Sequence, residues 1–336
     1  MKKTEIAPFF FPTTVAFVDD STSFLQNLSL QLDEKLAFRL FDSPGKALEA
    51  INAQMNHGKE IGPFLSRYGE EHCGAHEMIA MRLDAIHAQI NDSTRFERIS
   101  AVVVDYDMPG MNGLDFCRQI KNRSIKKIVL TGIADEQVAV KSFNEGLIDC
   151  FLRKQDPEVV QVLGRVVHDM QRAYFEEAWR TLADTLEIAE FKFLRDPNFA
   201  IQIQGLFKTL GIVEHYLCSR PDGLIMYDSQ GVASRLIVYT ESTLRALREI
   251  AIEQAAPTEF IRAIDSRQRL PYFPNSDGNY HPGFEPWQIF MHPAMSAEGE
   301  DSYLFSAVER IESEHATIRP FDDYLDFIDQ QSEWKQ

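Results

Sequence analysis

Ala101-Val102-Val103-Val104 is an unbroken apolar run, rich in β-branched side chains. Such a run predicts a strand buried on both faces, the habit of a parallel sheet. Asp105 ends it, Pro109-Gly110 turns the chain, and a helix is predicted from Leu114 to Lys121. The same alternation recurs along the first half of the chain. Strands are predicted over Thr14–Val18, Leu36–Phe41, Lys127–Thr131 and Asp149–Lys154. Helices are predicted over Thr22–Glu34, Pro44–Met55 and Asp135–Glu145, the first capped by Ser21 and the last closed by Gly146. Five βα units in this order imply a parallel α/β sheet.

One stretch breaks the rhythm. Asn56 to Ser100 is far longer than the 2 to 6 residues usual for such a connection. Met78, Met81, Leu83, Ile86 and Ile90 recur at roughly helical spacing, which predicts an arm over 58–69 and then a helix over 74–91. A surface or dimer-contact helix is the expectation. His72, Cys73 and His76 could ligate a metal, but no second cluster supports a zinc site.

Beyond Asp156-Pro157 a long helix is predicted toward Glu190. Val159, Leu163, Val166, Met170, Phe175, Trp179, Leu182 and Leu186 form its apolar stripe, which fits packing within one chain or pairing across a dimer. From Pro197 the pattern changes. A helix over Phe199–Thr209 precedes strands at Val213–Ser219, Gly223–Tyr227 and Arg235–Tyr239, the last two joined by the turn Asp228-Ser229-Gln230-Gly231. Glu241–Glu253 reads as a helix and Trp287–Leu304 as irregular. Phe321–Asp329 reads as an acidic amphipathic helix, more apt to dock on its own chain than on a partner.

Composition narrows the class. The 336 residues are enough for two domains, and no apolar run approaches the ~20 residues that span a bilayer. Four scattered cysteines give no disulfide framework, so a reducing cytoplasm is expected. The formal charge of -17 opposes nucleic acid and acidic membranes. From Pro197 onward 11 basic residues face 21 acidic ones, although Arg262, Arg267 and Arg269 cluster.

The strand ends gather Asp19, Asp20, Asp105, Thr131 and Lys154 at one sheet edge. Three carboxylates there call for a hard, oxygen-loving cation such as Mg²⁺. One carboxylate could then attack phosphorus, with Lys154 and Thr131 as donors to the phosphoryl oxygens. Asp19-Asp20, Asp105 with Met108-Pro109-Gly110-Met111-Asn112-Gly113, Thr131 and Lys154 together resemble the receiver domain of two-component response regulators, over about 13–167 without the insertion.

That resemblance implies a flavodoxin-like (βα)5 fold with a helical insertion before strand 3. It implies phosphorylation of Asp105 by a sensor histidine kinase or phosphotransfer protein. Mg²⁺ would be held by Asp19, Asp20, Asp105 and the backbone carbonyl of Asp107. Thr131 and Phe151 would form the switch pair. Two departures stand out: Gln155 replaces the proline that usually follows the lysine, and the insertion at about 57–99 is unusual.

The expected organisation is a receiver over 13–155, a connecting helix over 156–195 and an α+β output domain with an antiparallel sheet over 196–336. His215-Tyr216-Leu217, Asp222-Gly223-Leu224, Asp228 and Leu236-Ile237-Val238 resemble a C-terminal domain found behind receivers in uncharacterised bacterial response regulators. A weaker, whole-length similarity is to quorum-sensing regulators with a non-standard output. No catalytic motif stands out in this half. The first expectation is a signalling protein that is not an enzyme beyond its own phosphorylation chemistry and acts through protein contacts or a homodimer. The rivals are a transcription or RNA regulator using Arg262, Arg267 and Arg269, and an output enzyme built on His281, His292, Asp277 and Glu285.

Overall fold

The computed structural model describes residues 5–56, 65–68, 78–132, 136–186, 191–274, 276, 278–312 and 318–331. The chain forms two compact units. One comprises 11–62, 92–180 and 319–336; the other comprises 1–10, 63–91 and 181–318.

The first unit is built on five parallel strands: β1 (Thr14–Val18), β2 (Phe38–Phe41), β3 (Ile99–Asp105), β4 (Lys126–Thr131) and β5 (Cys150–Arg153). Their order is β2-β1-β3-β4-β5, the doubly wound arrangement that the βα rhythm predicts. Helices α1 (Thr22–Ser29), α2 (Pro44–Asn56), α3 (Gly113–Gln119), α4 (Glu136–Asn144) and α5 (Val159–Leu186) follow the strands. Every residue of β1 and β3 is buried, as their β-branched runs require. Val15, Phe17, Ala101, Val103, Ile128 and Leu130 form one core with Leu25, Leu28, Leu163 and Val167.

α1 stops at Ser29, short of the predicted Glu34. Asp33 instead accepts the Lys35 N–H at 2.9 Å, a local turn that competes with helix. α5 is one helix of 28 residues. Its stripe as far as Phe175 is spent within the chain: Leu163 and Val167 enter the core, and Phe175 meets the edge of Phe11 at 4.9 Å. The side chains of Trp179, Leu182 and Leu186 lie outside the described residues.

The C-terminal helix α9 (Phe321–Gln331) belongs to this first unit, which corrects the expectation that the output domain runs to residue 336. The reason is a buried contact. The Tyr324 hydroxyl lies 2.6 Å from Thr14 Oγ1, and the rings of Phe321 and Tyr324 stand 5.1 and 5.8 Å from Phe96. The backbone carbonyl of Arg319 accepts from buried Arg95 at 2.9 Å.

The second unit carries an antiparallel sheet of six strands in the order Phe9–Phe10, β6 (Ile212–Cys218), β7 (Gly223–Asp228), β8 (Ala233–Thr240), β10 (Ser302–Val308), β9 (Met295–Glu298). Helices α6 (Pro197–Leu210), α7 (Glu241–Glu253) and α8 (Thr258–Asp265) accompany it. Leu244, Leu247, Phe260, Ile264, Phe273 and Trp287 share its core. The region read as irregular, Trp287–Leu304, contains a short 3-10 helix and then strands at Met291–Pro293, Met295–Glu298 and Ser302–Val308. Short alternating segments between turns gave too little periodicity to declare themselves.

The insertion corrects another expectation. Leu65–Tyr68 and Met78–Met81 pair as an antiparallel hairpin, and the helix begins only at Leu83. A four-residue apolar run cannot tell helix from strand. One face of the helix Leu83–Asn91 packs within its own unit: Ile86 and Ile90 are buried, and His87 Nε2 lies 2.9 Å from the Leu217 carbonyl. His72, Cys73 and His76 lie outside the described residues.

Candidate functional site

Strand register assembles the site. Val18 pairs with Val104 in the parallel β1–β3 ladder, so the next residues, Asp19 and Asp105, leave adjacent strands side by side. Thr131 pairs with Arg153, which sets Lys154 just beyond Thr131. The Lys154 N–H donates to the Thr131 carbonyl at 3.0 Å. Ser21 caps α1 through the Phe24 N–H, and its own N–H donates to Asp19 Oδ1 at 2.9 Å. Asn112 caps α3 through the Asp115 N–H at 2.8 Å.

Gly113 starts α3 hard against the end of β3. A Cβ there would fall 2.5 Å from the Asp105 carbonyl oxygen, so only glycine lets the helix close on the strand.

Asp105 is 6% exposed and Asp19 2%, whereas Asp20 is open to solvent. Lys154 Nζ lies 2.6 Å from Asp19 Oδ2 and 3.1 Å from Asp105 Oδ1. It also stands 4.4 Å from the centre of the Phe24 ring. Burial pushes the Asp105 carboxyl up to about 6, reinforced by the negative charge of Asp19 and opposed by Lys154. Burial works against the charge of Lys154, yet the hydrogen bond to Asp19 and the charge of Asp105 outweigh it and raise its pKa.

Oxygen atoms of Asp19, Asp20 and Asp105 all lie within 4.8 Å of one another. Three carboxylates against one ammonium leave negative charge for a divalent cation to balance. The donors are all oxygen, as a hard cation requires. The acidic triad is of the kind that forms a receiver metal site.

The hydroxyl of Thr131 supplies the second test of fit. It is buried and has no hydrogen-bond partner among the described residues, an arrangement that costs about 1–3 kcal/mol unless a ligand atom arrives. Replacing Thr131 by Val is therefore expected to stabilise the unphosphorylated protein by roughly 1 kcal/mol, read as a higher urea midpoint at unchanged slope. A lower midpoint would show that the hydroxyl is satisfied in solution.

Phe151 is half-buried on β5, edge-on to Phe143 at 6.4 Å. Val138, Val140 and Phe143 of α4 are exposed. The side chain of Asp107 is exposed. Sequence reasoning missed Phe24, whose contact with Lys154 no spacing announces, and the close approach of Gly113.

The other candidates do not converge in the same way. Arg267 is paired with Glu241 at 2.6 Å, which removes one cation from the Arg262, Arg267 and Arg269 cluster. His281 is exposed beside Phe284. His292 is half-buried near Tyr272, and burial together with Arg269 lowers its pKa. Glu285 lies 3.4 Å from the Tyr280 hydroxyl. Asp277 lies outside the described residues. No described helix is long and apolar enough to cross a membrane.

Fold and site together define a response regulator with a receiver domain, and the model of the response regulator receiver domain matches residues 75–163. Asp19 and Asp20 precede that match. The solved structure of the response regulator LqsR of Legionella pneumophila is 33% identical to this chain, covers 98% of both chains and superposes with a TM-score of 0.79. This chain belongs to the same family of response regulators, in which a receiver is joined to a further C-terminal region.

The cyclic di-GMP phosphodiesterase response regulator RpfG of Xanthomonas campestris pv. campestris is 33% identical over 64 residues. That match spans 18% of this chain and 17% of the relative.

Proposed function

We propose that the protein is a phosphorylation-dependent switch. Asp105 accepts a phosphoryl group from a sensor histidine kinase or a phosphotransfer protein. The observation that supports this most directly is the meeting of a buried carboxylate, pushed up to about 6, with a Thr131 hydroxyl on the neighbouring strand that has no partner among the described residues. Mg²⁺ is the cation in this reading, held by Asp19, Asp20, Asp105 and the Asp107 carbonyl, and when bound it neutralises charge on the phosphoryl oxygens. Lys154 donates to another of those oxygens. Thr131 supplies the hydroxyl that follows the phosphoryl group, and Phe151 moves with it. Each change biases a pre-existing equilibrium of the surface made by α4, β5 and α5.

The chain's own catalysis is then confined to gain and loss of phosphate at Asp105, and output runs through protein contacts or self-association. The exposed Val140 and Phe143, neighbours on α4, support that face as the exit of the signal. Acetyl phosphate labelling tests the reading: chelating divalent ions with EDTA is expected to abolish it, and labelling that persists undiminished would overturn the metal assignment. Light scattering with Mg²⁺ and beryllofluoride then separates the outputs. A doubled mass assigns phosphorylation-driven self-association, and an unchanged mass, by its value, assigns either a constitutive oligomer or a monomer that signals by releasing its output domain.

A further inference from the structure

Arg235 sits on β8 in the middle of the second unit's sheet, paired in register with Ile225 and Val308. It is 5% exposed. Its Nη2 donates to the carbonyls of Pro221 at 2.7 Å and Ser219 at 3.3 Å, and its Nε has no acceptor among the described residues. Among the described residues no carboxylate pairs with it. Buried Arg98, by contrast, keeps Asp92 at 2.7 Å. Two backbone carbonyls satisfy hydrogens but cancel no charge, and a buried charge without a counter-charge is costly.

Arg235 lines a cleft of about 130 Å³ that also takes in Arg220, Ser219, Ser276, His87 and Tyr272, all within this unit. No carboxylate lines it among the described residues. Pockets for drug-sized ligands run to about 300–1,000 Å³, so this cleft has room for a head group and little more.

We infer that the cleft is an oxyanion-binding site, taking the phosphate or carboxylate group of a small molecule against the Arg235 guanidinium. Guanidinium presents a planar fork that matches two oxygens of such a group, which an ammonium does not. Ser219 offers a hydroxyl at its edge, and Arg220 adds a second, more exposed cation. The site is independent of Asp105 and holds whether or not the receiver is phosphorylated.

The experiment is a titration of the full chain, without Mg²⁺, with inorganic phosphate and separately with acetate, reading arginine Nε–H signals by NMR. One signal, absent from the Arg235→Lys variant, is expected to move saturably with at least one of the two anions. Which anion does so identifies the head group. Affinity is expected to fall about tenfold or more in Arg235→Lys and to be unchanged in Lys154→Ala, which disables the cation of the receiver site. Ser219→Ala, at the cleft edge, is expected to weaken binding several-fold with the fold intact, and it serves as the test if Arg235→Lys does not fold. Saturable binding by neither anion, or binding that depends on Lys154, would overturn the inference.

Discussion

The Asp105→Asn protein is expected to take up no phosphoryl group from acetyl phosphate and Mg²⁺, where the wild type is expected to gain one base-labile group per chain. The expected loss is at least about a hundredfold, because the amide oxygen is no nucleophile toward phosphorus. On the proposed reading an Asp105 oxygen of the wild type forms the new bond to phosphorus, and acetate leaves with the electron pair of the old one. Equal labelling of the variant would place the acceptor elsewhere.

The same substitution has a second consequence of unusual sign. The native carboxyl titrates near 6 against an ordinary value of 3.8. Two units correspond to roughly 3 kcal/mol held against the folded state when Asp105 is charged. Lys154 loses one of its two partners in the variant, which returns part of that. A net gain of about 1–2 kcal/mol is expected at pH 7.5 in EDTA, a rise of a few degrees in Tm. The native state binds the proton more tightly than the unfolded chain, so the wild-type penalty is complete above pH 6 and fades as pH falls toward 4. The advantage of the variant should shrink over that same window. Added Mg²⁺ should favour the wild type alone. A variant less stable at every pH would show that Asp105 is not held under strain.

Loss of α9 is expected to damage the receiver unit from its far end. Tyr324→Ala removes a buried ring that packs on Phe96 and a hydroxyl that meets Thr14. Truncations of this size cost about 3–5 kcal/mol. Tyr324→Phe keeps the ring and should cost only about 1 kcal/mol, which separates packing from hydrogen bonding. A chain ending at residue 318 should lose cooperative unfolding of this unit, followed by circular dichroism in urea. An unchanged midpoint would make α9 a passenger.

The parallel sheet and its chemistry were legible because both depend on short-range signals. The run before Asp105, the doublet Asp19-Asp20 and the lysine ending β5 each announce a strand and its C-terminal edge. Register then had no freedom, since strands buried on both faces cannot slip without exposing apolar side chains or burying polar ones. The membership of α9 and of the strand Phe9–Phe10 was not legible. Tyr324 meets Thr14 across 310 positions of chain, and Phe10 pairs with His215 across more than half of it. An amphipathic segment shows that it has a partner and is silent on which one. Arg235 was hidden for a related reason: within Ser234-Arg235-Leu236 it reads as the polar member of an alternating strand, yet the sheet is covered on both faces there.

The route of the backbone bears on how such a protein can change over generations. The chain passes from one compact unit to the other five times, so neither unit is one continuous stretch. A gene exchange that lifted out the bases encoding 13–155 would carry Asp19, Asp20, Asp105, Thr131 and Lys154 in full. It would leave behind the Phe321 and Tyr324 that cover Phe96. Receivers encoded in one block can be traded between proteins like cassettes. This one is spliced into its companion, so the two halves are inherited together, and an altered output must arise by substitution in place.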